Sequence, residues 1–177
     1  MSALSDFVAR RSELELCFLA NRLGRRRYVM RGFAAVSRLG DGWFWYALMA
    51  SLPFAYGAAG LAASLHLAAT ALVSLALYRG IKQATRRPRP CAATARIRAW
   101  VAPLDEFSFP SGHTLHAVTF TWVAVSYFPP LAIVLVPFAV LVALSRVVLG
   151  LHYPSDVLAA VVLGAALAQG SLVLVGV

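Results

Sequence analysis

From residue 42 onward, long uncharged apolar stretches alternate with short polar segments. Five such stretches lie at about 42–60, 61–80, 111–128, 131–149 and 155–177. Each is close to the ~20 residues that an α-helix needs to cross a bilayer, although the third and fourth are slightly short. The pattern predicts an all-α integral membrane protein with about five transmembrane helices in a bundle.

Residues 1–38 differ because charged and apolar residues are mixed there. The run ELELCFLANRLG, residues 13–24, is too short to span a bilayer, and GRRRYVMRG follows at 24–32. A signal peptide would place its basic residues before a cleaner apolar core and a cleavage site, and that order is absent. We expect an N-terminal amphipathic interfacial segment over 1–38, compatible with packing on the bundle, and a transmembrane domain over 39–177.

Composition supports the membrane assignment and limits the partners. Hydrophobic residues make up 60% of the chain and charged residues 13%, against about 25% charged residues in ordinary soluble domains. The net charge is +9, but the basic residues flank apolar stretches, which favours anionic lipid headgroups over nucleic acid as the partner. Cys17 and Cys91 lack metal-ligand spacing. Nothing in the sequence indicates a particular oligomeric state.

The charged residues are distributed asymmetrically. With five spans, residues 1–41, 79–110 and 145–156 fall on one side of the membrane, and all 16 Lys and Arg and all 7 Asp and Glu lie in those segments. The positive-inside rule makes that side cytoplasmic. Some of these residues could lie there for chemistry instead of topology.

Three short polar stretches on the charged side lie at the ends of predicted helices. They are KQATRRPRP at 82–90, PSGH at 110–113 and SRVVLGLHYPSD at 145–156. Helix ends that meet at one membrane face would form a single pocket.

Five residues in these stretches suit the binding of an anion. Lys82, Arg89 and Arg146 are cations, and arginine can bind a phosphate in bidentate fashion. Ser111 and Gly112 open a helix, where free backbone N–H groups favour a phosphate oxygen. Taken singly, a basic residue near a membrane is usually a surface anchor and Ser-Gly is usually a helix cap.

Three further residues suit proton transfer or nucleophilic attack. His113 and His152 are imidazoles, and Asp156 follows His152 by four residues. A carboxylate in the first turn of the next helix can accept from the imidazole and fix its tautomer. The combined pattern is far less expected by chance than any of its members.

The three stretches together resemble the signature of the type-2 phosphatidic acid phosphatases, membrane relatives of the vanadium haloperoxidases. That signature is Lys, six residues, Arg-Pro; then Pro-Ser-Gly-His; then Ser-Arg, five residues, His, three residues and Asp. Lys82 to Arg89-Pro90, Pro110 to His113, and Ser145-Arg146 with His152 and Asp156 match it without a departure.

The resemblance implies a role for each matched residue. His152 would be the nucleophile that forms a phosphohistidine, Asp156 its orienting partner and His113 the acid for the leaving oxygen. The phosphate-binding set would be Lys82, Arg89, Ser111, Gly112 and Arg146. The family needs no metal and no cofactor, and here cationic side chains stand where a metal would supply charge.

Other polar residues receive weaker assignments. His116 follows His113 by three residues, but a metal site for this pair is disfavoured. His66 is expected to be hydrogen-bonded within the bundle. Arg86 and Arg87 are expected at lipid headgroups or the membrane surface. Asp105 and Glu106 could gate the pocket or pair with its arginines.

The sequence therefore predicts a lipid phosphatase of a bacterial inner membrane. Phosphatidate, phosphatidylglycerophosphate and polyprenyl mono- or diphosphates are all compatible substrates. A lipid phosphotransferase would use the same chemistry, and a non-enzymatic transporter or scaffold is the alternative of another class. A haloperoxidase is disfavoured by the membrane architecture, although vanadate should inhibit.

Labelling of Cys91 tests which face carries the site. Members of the resembled family commonly have six spans and an extracytoplasmic site, whereas the charge bias predicts a cytoplasmic one. In a Cys17→Ser variant of intact cells, the charge bias predicts that Cys91 is protected from an impermeant thiol reagent and reacts once the membrane is opened. Labelling in intact cells would place the site outside.

Overall fold

Helices form the framework of the described residues, which in this computed structural model are 3–177 for the backbone and 11–177 for the side chains. The helices are α1 (Ala3–Leu23), α2 (Arg27–Gly40), α3 (Trp43–Thr85), α4 (Pro90–Ala93), α5 (Gly112–Tyr127), α6 (Ala132–Val148) and α7 (Pro154–Val175). A 3-10 turn, Pro129–Leu131, joins α5 to α6. The all-α prediction is confirmed.

The first two predicted apolar stretches are the two arms of α3, which folds back on itself. Gly57 adopts φ 57° and ψ −132° inside α3 and interrupts the helical backbone. Ser64 Oγ donates to the carbonyl of Met49 at 2.7 Å, so the arms lie side by side. The backbones approach so closely that a Cβ on Gly60 would lie 2.0 Å from the Leu52 carbonyl oxygen.

Among the described residues, three helical segments are long and apolar enough to cross a membrane: Trp43–Thr85, Pro129–Val148 and Pro154–Val175. The fold of α3 allows its two arms to cross separately, and α5 would add the remaining span. At 16 residues, α5 is shorter than a typical span. The number of five spans stays a prediction.

The central helix is α5, which packs against α3, α6 and α7. The face that α7 buries repeats every four residues, as Asp156, Ala160, Gly164, Ala168 and Leu172. Small residues at this spacing let helix backbones approach closely in a membrane. Thr119 Oγ1 of α5 donates to the Gly164 carbonyl at 3.2 Å across this contact. The stripe that packs α7 on α5 therefore also directs Asp156 inward.

The N-terminal helices pack on the bundle. α2 lies against α6, and α1 lies against α6 and α7. The Asn21 side chain donates to the Val148 carbonyl at 3.0 Å and to the Arg98 carbonyl at 2.9 Å. The packing reading of residues 11–38 is thus observed, while their place in the membrane interface and the domain boundary at 38/39 stay predictions.

Backbone hydrogen bonds connect the second polar stretch, and the residues just before it, to the other two, and a further bond lies within the third. The Ser108 N–H donates to the Arg87 carbonyl at 2.8 Å, and the Ser111 N–H donates to the Asp156 carbonyl at 3.2 Å. The His152 N–H donates to the Arg146 carbonyl at 3.2 Å. The predicted meeting of three helix-end stretches is therefore present in the structure.

Gly164 provides a test of the α5–α7 contact. A Cβ there would lie 2.9 Å from the Leu115 carbonyl oxygen and 3.2 Å from Thr119 Oγ1. We expect Gly164→Val to separate the helices, to destabilise the protein by about 2 kcal/mol or more and to lower its melting temperature in detergent by roughly 5 °C.

The matched control is Gly170→Val on the same helix, because nothing lies within 4 Å of a Cβ at Gly170. Size-exclusion chromatography after a temperature series measures both variants. Equal melting temperatures for the two would contradict close packing at Gly164.

Candidate active site

One cavity of ≈ 540 Å³ lies where α3 and α6 end and α5 begins. It is lined by six of the eight predicted site residues, namely Lys82, Arg89, Gly112, His113, Arg146 and His152. The other two, Ser111 and Asp156, are fully buried behind the wall. Apolar side chains also line this cavity, among them Trp45, Met49, Leu75 and Phe120.

His152 and Asp156 face each other at the start of α7. Their separation is 3.5 Å between Nδ1 and Oδ2, and both side chains are buried. Asp156 is held in place because its Oδ2 also accepts the Tyr153 N–H at 2.9 Å. The separation between His152 Nδ1 and Asp156 Oδ2 is longer than a normal hydrogen bond.

The imidazole of His152 presents its other nitrogen to the cavity, where Nε2 lies 3.1 Å from Arg89 Nη1. Burial, followed by the positive charges of Arg146 and Arg89, lowers the pKa of His152 well below its ordinary value. The ring is therefore neutral at physiological pH. With its proton on Nδ1 toward Asp156, it would direct a lone pair on Nε2 at the cavity.

Lys82 and Arg89 share one carboxylate, that of Asp105. Lys82 Nζ lies 2.7 Å from both carboxylate oxygens, and Arg89 Nη2 lies 2.7 Å from Oδ1. Burial would raise the pKa of Asp105, but the hydrogen bond and charge of Lys82, with those of Arg89, hold it below its ordinary value. The predicted pairing of Asp105 with a pocket arginine is observed.

Arg146 is 2% exposed and lies on the last turn of α6. Its Nη1 donates to Ser37 Oγ of α2. Nothing in the local sequence marks Ser37 as a partner of a site residue, because a serine in an amphipathic helix carries no distinguishing pattern. The N-terminal helices therefore contribute a hydrogen-bond partner to a motif residue.

His113 lies in the first turn of α5, and its Nε2 contacts Asp41 Oδ1. Asp41 precedes α3 and also lines the cavity. Sequence reasoning missed this carboxylate because it lies outside the three stretches. Its one signal was a charge directly before an apolar span.

Gly112 and Ser111 are placed differently from one another. Gly112 lines the cavity, where a Cβ would lie 3.4 Å from the Tyr78 ring. The Ser111 hydroxyl lies 3.0 Å from Thr114 Oγ1, and its N–H donates to the Asp156 carbonyl. In this arrangement Gly112 can approach an anion, whereas Ser111 braces the start of α5 against α7.

Arg87, expected at lipid headgroups or the membrane surface, is paired with two carboxylates of the protein. Arg87 Nη1 donates to Asp156 Oδ1 at 2.7 Å, and Nη2 donates to Glu13 Oε2 of α1 at 2.6 Å. Two buried or half-buried carboxylates attract the guanidinium inward. A single sequence cannot reveal this pairing, because Glu13 is distant in the chain.

The two remaining histidines differ in their surroundings, since His116 also lines the cavity and His66 lies within the bundle. The His116 ring stacks on Phe120 at 5.4 Å between centroids, and among the described residues no group of three metal-ligand side chains occurs. His66 lies 3.1 Å from the Tyr127 hydroxyl and 2.9 Å from Ser171 Oγ, so its predicted hydrogen bonding within the bundle is observed.

Comparison with known structures agrees with the all-α membrane fold. A transmembrane PAP2-type phosphatidylglycerolphosphate phosphatase from Bacillus subtilis superimposes with a TM-score of 0.75 and 25% identity, covering 96% of this chain and 87% of that one. LpxE from Aquifex aeolicus superimposes with a TM-score of 0.77 and 26% identity, covering 90% and 93%.

Curated relatives are similar over a shorter region. Decaprenylphosphoryl-5-phosphoribose phosphatases from two Mycobacterium tuberculosis strains are 41% identical over 100 residues, 55% of this chain. The match spans about half, 52%, of the length of those relatives.

A family profile extends through all three motif stretches. The profile described as the PAP2 superfamily matches residues 59–176. This match covers more than half of the chain, and a transmembrane PAP2-type phosphatase shares its fold. The chain is an integral membrane protein that belongs to the PAP2 superfamily.

Proposed function

We propose that this protein is a membrane lipid phosphatase that works through a phosphohistidine on His152. The observation that carries the proposal is the placement of a neutral imidazole beside three buried cations at one cavity. Cations bind a phosphate dianion, and an unprotonated imidazole nitrogen can attack its phosphorus.

The first step forms a bond between His152 Nε2 and phosphorus and breaks the bond from phosphorus to the lipid oxygen. Lys82, Arg89 and Arg146 would stabilise the charge on the phosphoryl oxygens. Asp156 would stabilise the His152 ring as it becomes cationic. His113 would donate a proton to the departing lipid oxygen.

The second step hydrolyses the intermediate. His113, now deprotonated, would accept a proton from water as the water oxygen attacks phosphorus. The bond between phosphorus and Nε2 then breaks, and inorganic phosphate leaves with His152 again neutral. Asp41 lies in contact with His113 and could hold its ring in place between the two steps.

We infer that the substrate is an amphiphile with a terminal phosphate. The cation cluster and several apolar side chains line the same cavity, which suits a charged head beside a hydrocarbon chain. The relatives named as decaprenylphosphoryl-5-phosphoribose phosphatases support an isoprenoid-linked phosphate as the first candidate. Phosphatidylglycerophosphate comes next because of the Bacillus subtilis structure.

His152→Ala tests the nucleophile. We expect purified protein to release inorganic phosphate from at least one lipid phosphate in a panel of isoprenoid and glycerol lipids. His152→Ala should lower the rate by at least about 10⁴-fold, because the covalent path is lost. Asp156→Asn should lower it less, because the imidazole remains.

The control is His66→Gln, since His66 lies among Tyr127 and Ser171, away from the cavity. Short incubation with 32P-labelled substrate should label wild-type protein and leave His152→Ala unlabelled. Retained activity in folded His152→Ala would exclude this nucleophile, and label that passes to a second lipid would identify a phosphotransferase.

Vanadate inhibition tests the position of the anion. The Asp105 carboxylate occupies the space between Lys82 and Arg89, so an incoming anion must displace it. Asp105→Asn removes the competing charge and should lower the inhibition constant of vanadate by about three- to tenfold. Glu106→Gln, the same change in the next residue of the cavity wall, should have a smaller effect.

Weaker vanadate inhibition in Asp105→Asn than in wild type would contradict competition at this position. That outcome would instead make Asp105 a residue that positions the two cations for the phosphate.

A further inference from the structure

The proposed mechanism does not use Arg87, although this side chain touches the nucleophile's partner. Arg87 Nη1 lies 2.7 Å from Asp156 Oδ1 and 2.7 Å from Ser155 Oγ. Its guanidinium also stacks over the Tyr153 ring, 4.0 Å from the centroid. These contacts fix the guanidinium in one orientation beside the first turn of α7.

A second carboxylate holds this arginine from the other side. Glu13, on α1, accepts from Arg87 Nη2 at 2.6 Å through Oε2. Its other oxygen, Oε1, accepts the Ser155 N–H at 3.0 Å. Glu13 therefore binds both the arginine that contacts Asp156 and the backbone of the turn that carries Asp156.

Burial makes this arrangement energetically important. Asp156 is 0% exposed, and the side chains of Arg87 and Glu13 are 25% and 21% exposed. Charges with this little surrounding water are screened weakly. The electrostatic attraction between them therefore holds each side chain in its position. Without Glu13, Arg87 loses the partner that balances its pull on Asp156, and the Ser155 N–H loses its acceptor.

We propose that Glu13 is a positioning residue for the reaction, acting through Arg87 and Asp156 on the orientation of His152. This inference rests on the proposed function, because it gives Asp156 the task of orienting the nucleophile. It makes α1 part of the active enzyme: the correct docking of this helix sets the nucleophile's geometry. A residue 139 positions before His152 would thus govern the rate of phosphoryl transfer.

The chain contains a matched control for this interaction. Glu15 lies two residues further along α1 and pairs with Arg96, Oε1 to Nη1, at 2.6 Å. This second ion pair also joins α1 to the segment that follows α3. The Glu15 side chain is 49% exposed and that of Arg96 is 56% exposed. The hydrogen bonds between the two side chains do not extend to Asp156. Removing either glutamate deletes one charge from α1, yet only one deletion reaches the site.

The experiment compares Glu13→Gln with Glu15→Gln in purified protein, using the best substrate from the lipid panel. We expect Glu13→Gln to lower kcat about tenfold with KM within about twofold, because phosphate binding is retained while the nucleophile is misoriented. Rapid-quench measurement should show the same loss in the rate at which His152 becomes phosphorylated. Glu15→Gln should stay within about twofold of wild type in both constants.

A double-mutant cycle separates positioning from a general loss of stability. Glu13→Gln and Arg87→Gln should have strongly non-additive effects on kcat, since they interrupt one path. Glu13→Gln and Arg96→Gln should be additive. Melting temperatures of all variants show whether a fall in kcat follows unfolding.

Two outcomes would overturn the inference. One is an unchanged kcat and phosphorylation rate in Glu13→Gln. The other is equal loss in Glu13→Gln and Glu15→Gln that parallels the melting temperature, which would make the contact merely structural. Failure of the proposed function looks different: there, His152→Ala would remain active or wild type would release no phosphate from any lipid.

Discussion

Three buried cations within one cavity set the main physical constraint on this protein. Lys82, Arg89 and Arg146 are 5%, 4% and 2% exposed in a chain with few charges. Isolated buried charges are costly, so each requires a partner or an anion. Asp105 compensates two of them, and Ser37 Oγ accepts a hydrogen bond from the third, Arg146. Burial, together with the same positive charges, lowers the pKa of the neighbouring His152 and so favours its neutral imidazole.

This concentration of charge explains why so much of the fold converges at one end. Loop 94–110 brings in Asp105, the connection before α3 brings in Asp41, and α2 brings in Ser37. Beneath them, the small residues of α7 pack closely on α5 and hold Asp156 in register with the motif at the start of α5. An apolar, tightly packed bundle thus supports a polar site that is stable only when its charges are matched.

The arrangement at Asp156 illustrates how the N-terminal helices join this system. Glu13, Arg87 and Asp156 alternate in sign from the half-buried edge to the fully buried carboxylate beside His152. This alternation of negative and positive charge lowers the free-energy cost of burying the Asp156 carboxylate. Through Glu13, α1 therefore contributes to the geometry of the site. This helix lies outside the three motif stretches and outside the profile match at 59–176.

The apolar stretches, the all-α class and the three motif stretches can be predicted from the sequence alone. Bilayer thickness and helix ends leave patterns in the local sequence. The sequence also identified the cations, histidines and Asp156 that the fold brings to one cavity or directly behind it. Three features are visible only in the packed structure: the fold of α3 at Gly57, the contact of Asp41 with His113, and the inward position of Arg87. Those features depend on pairs of residues far apart in the chain, such as Glu13 and Arg87. Their contact energies exist only once the helices have packed, so no local pattern records them.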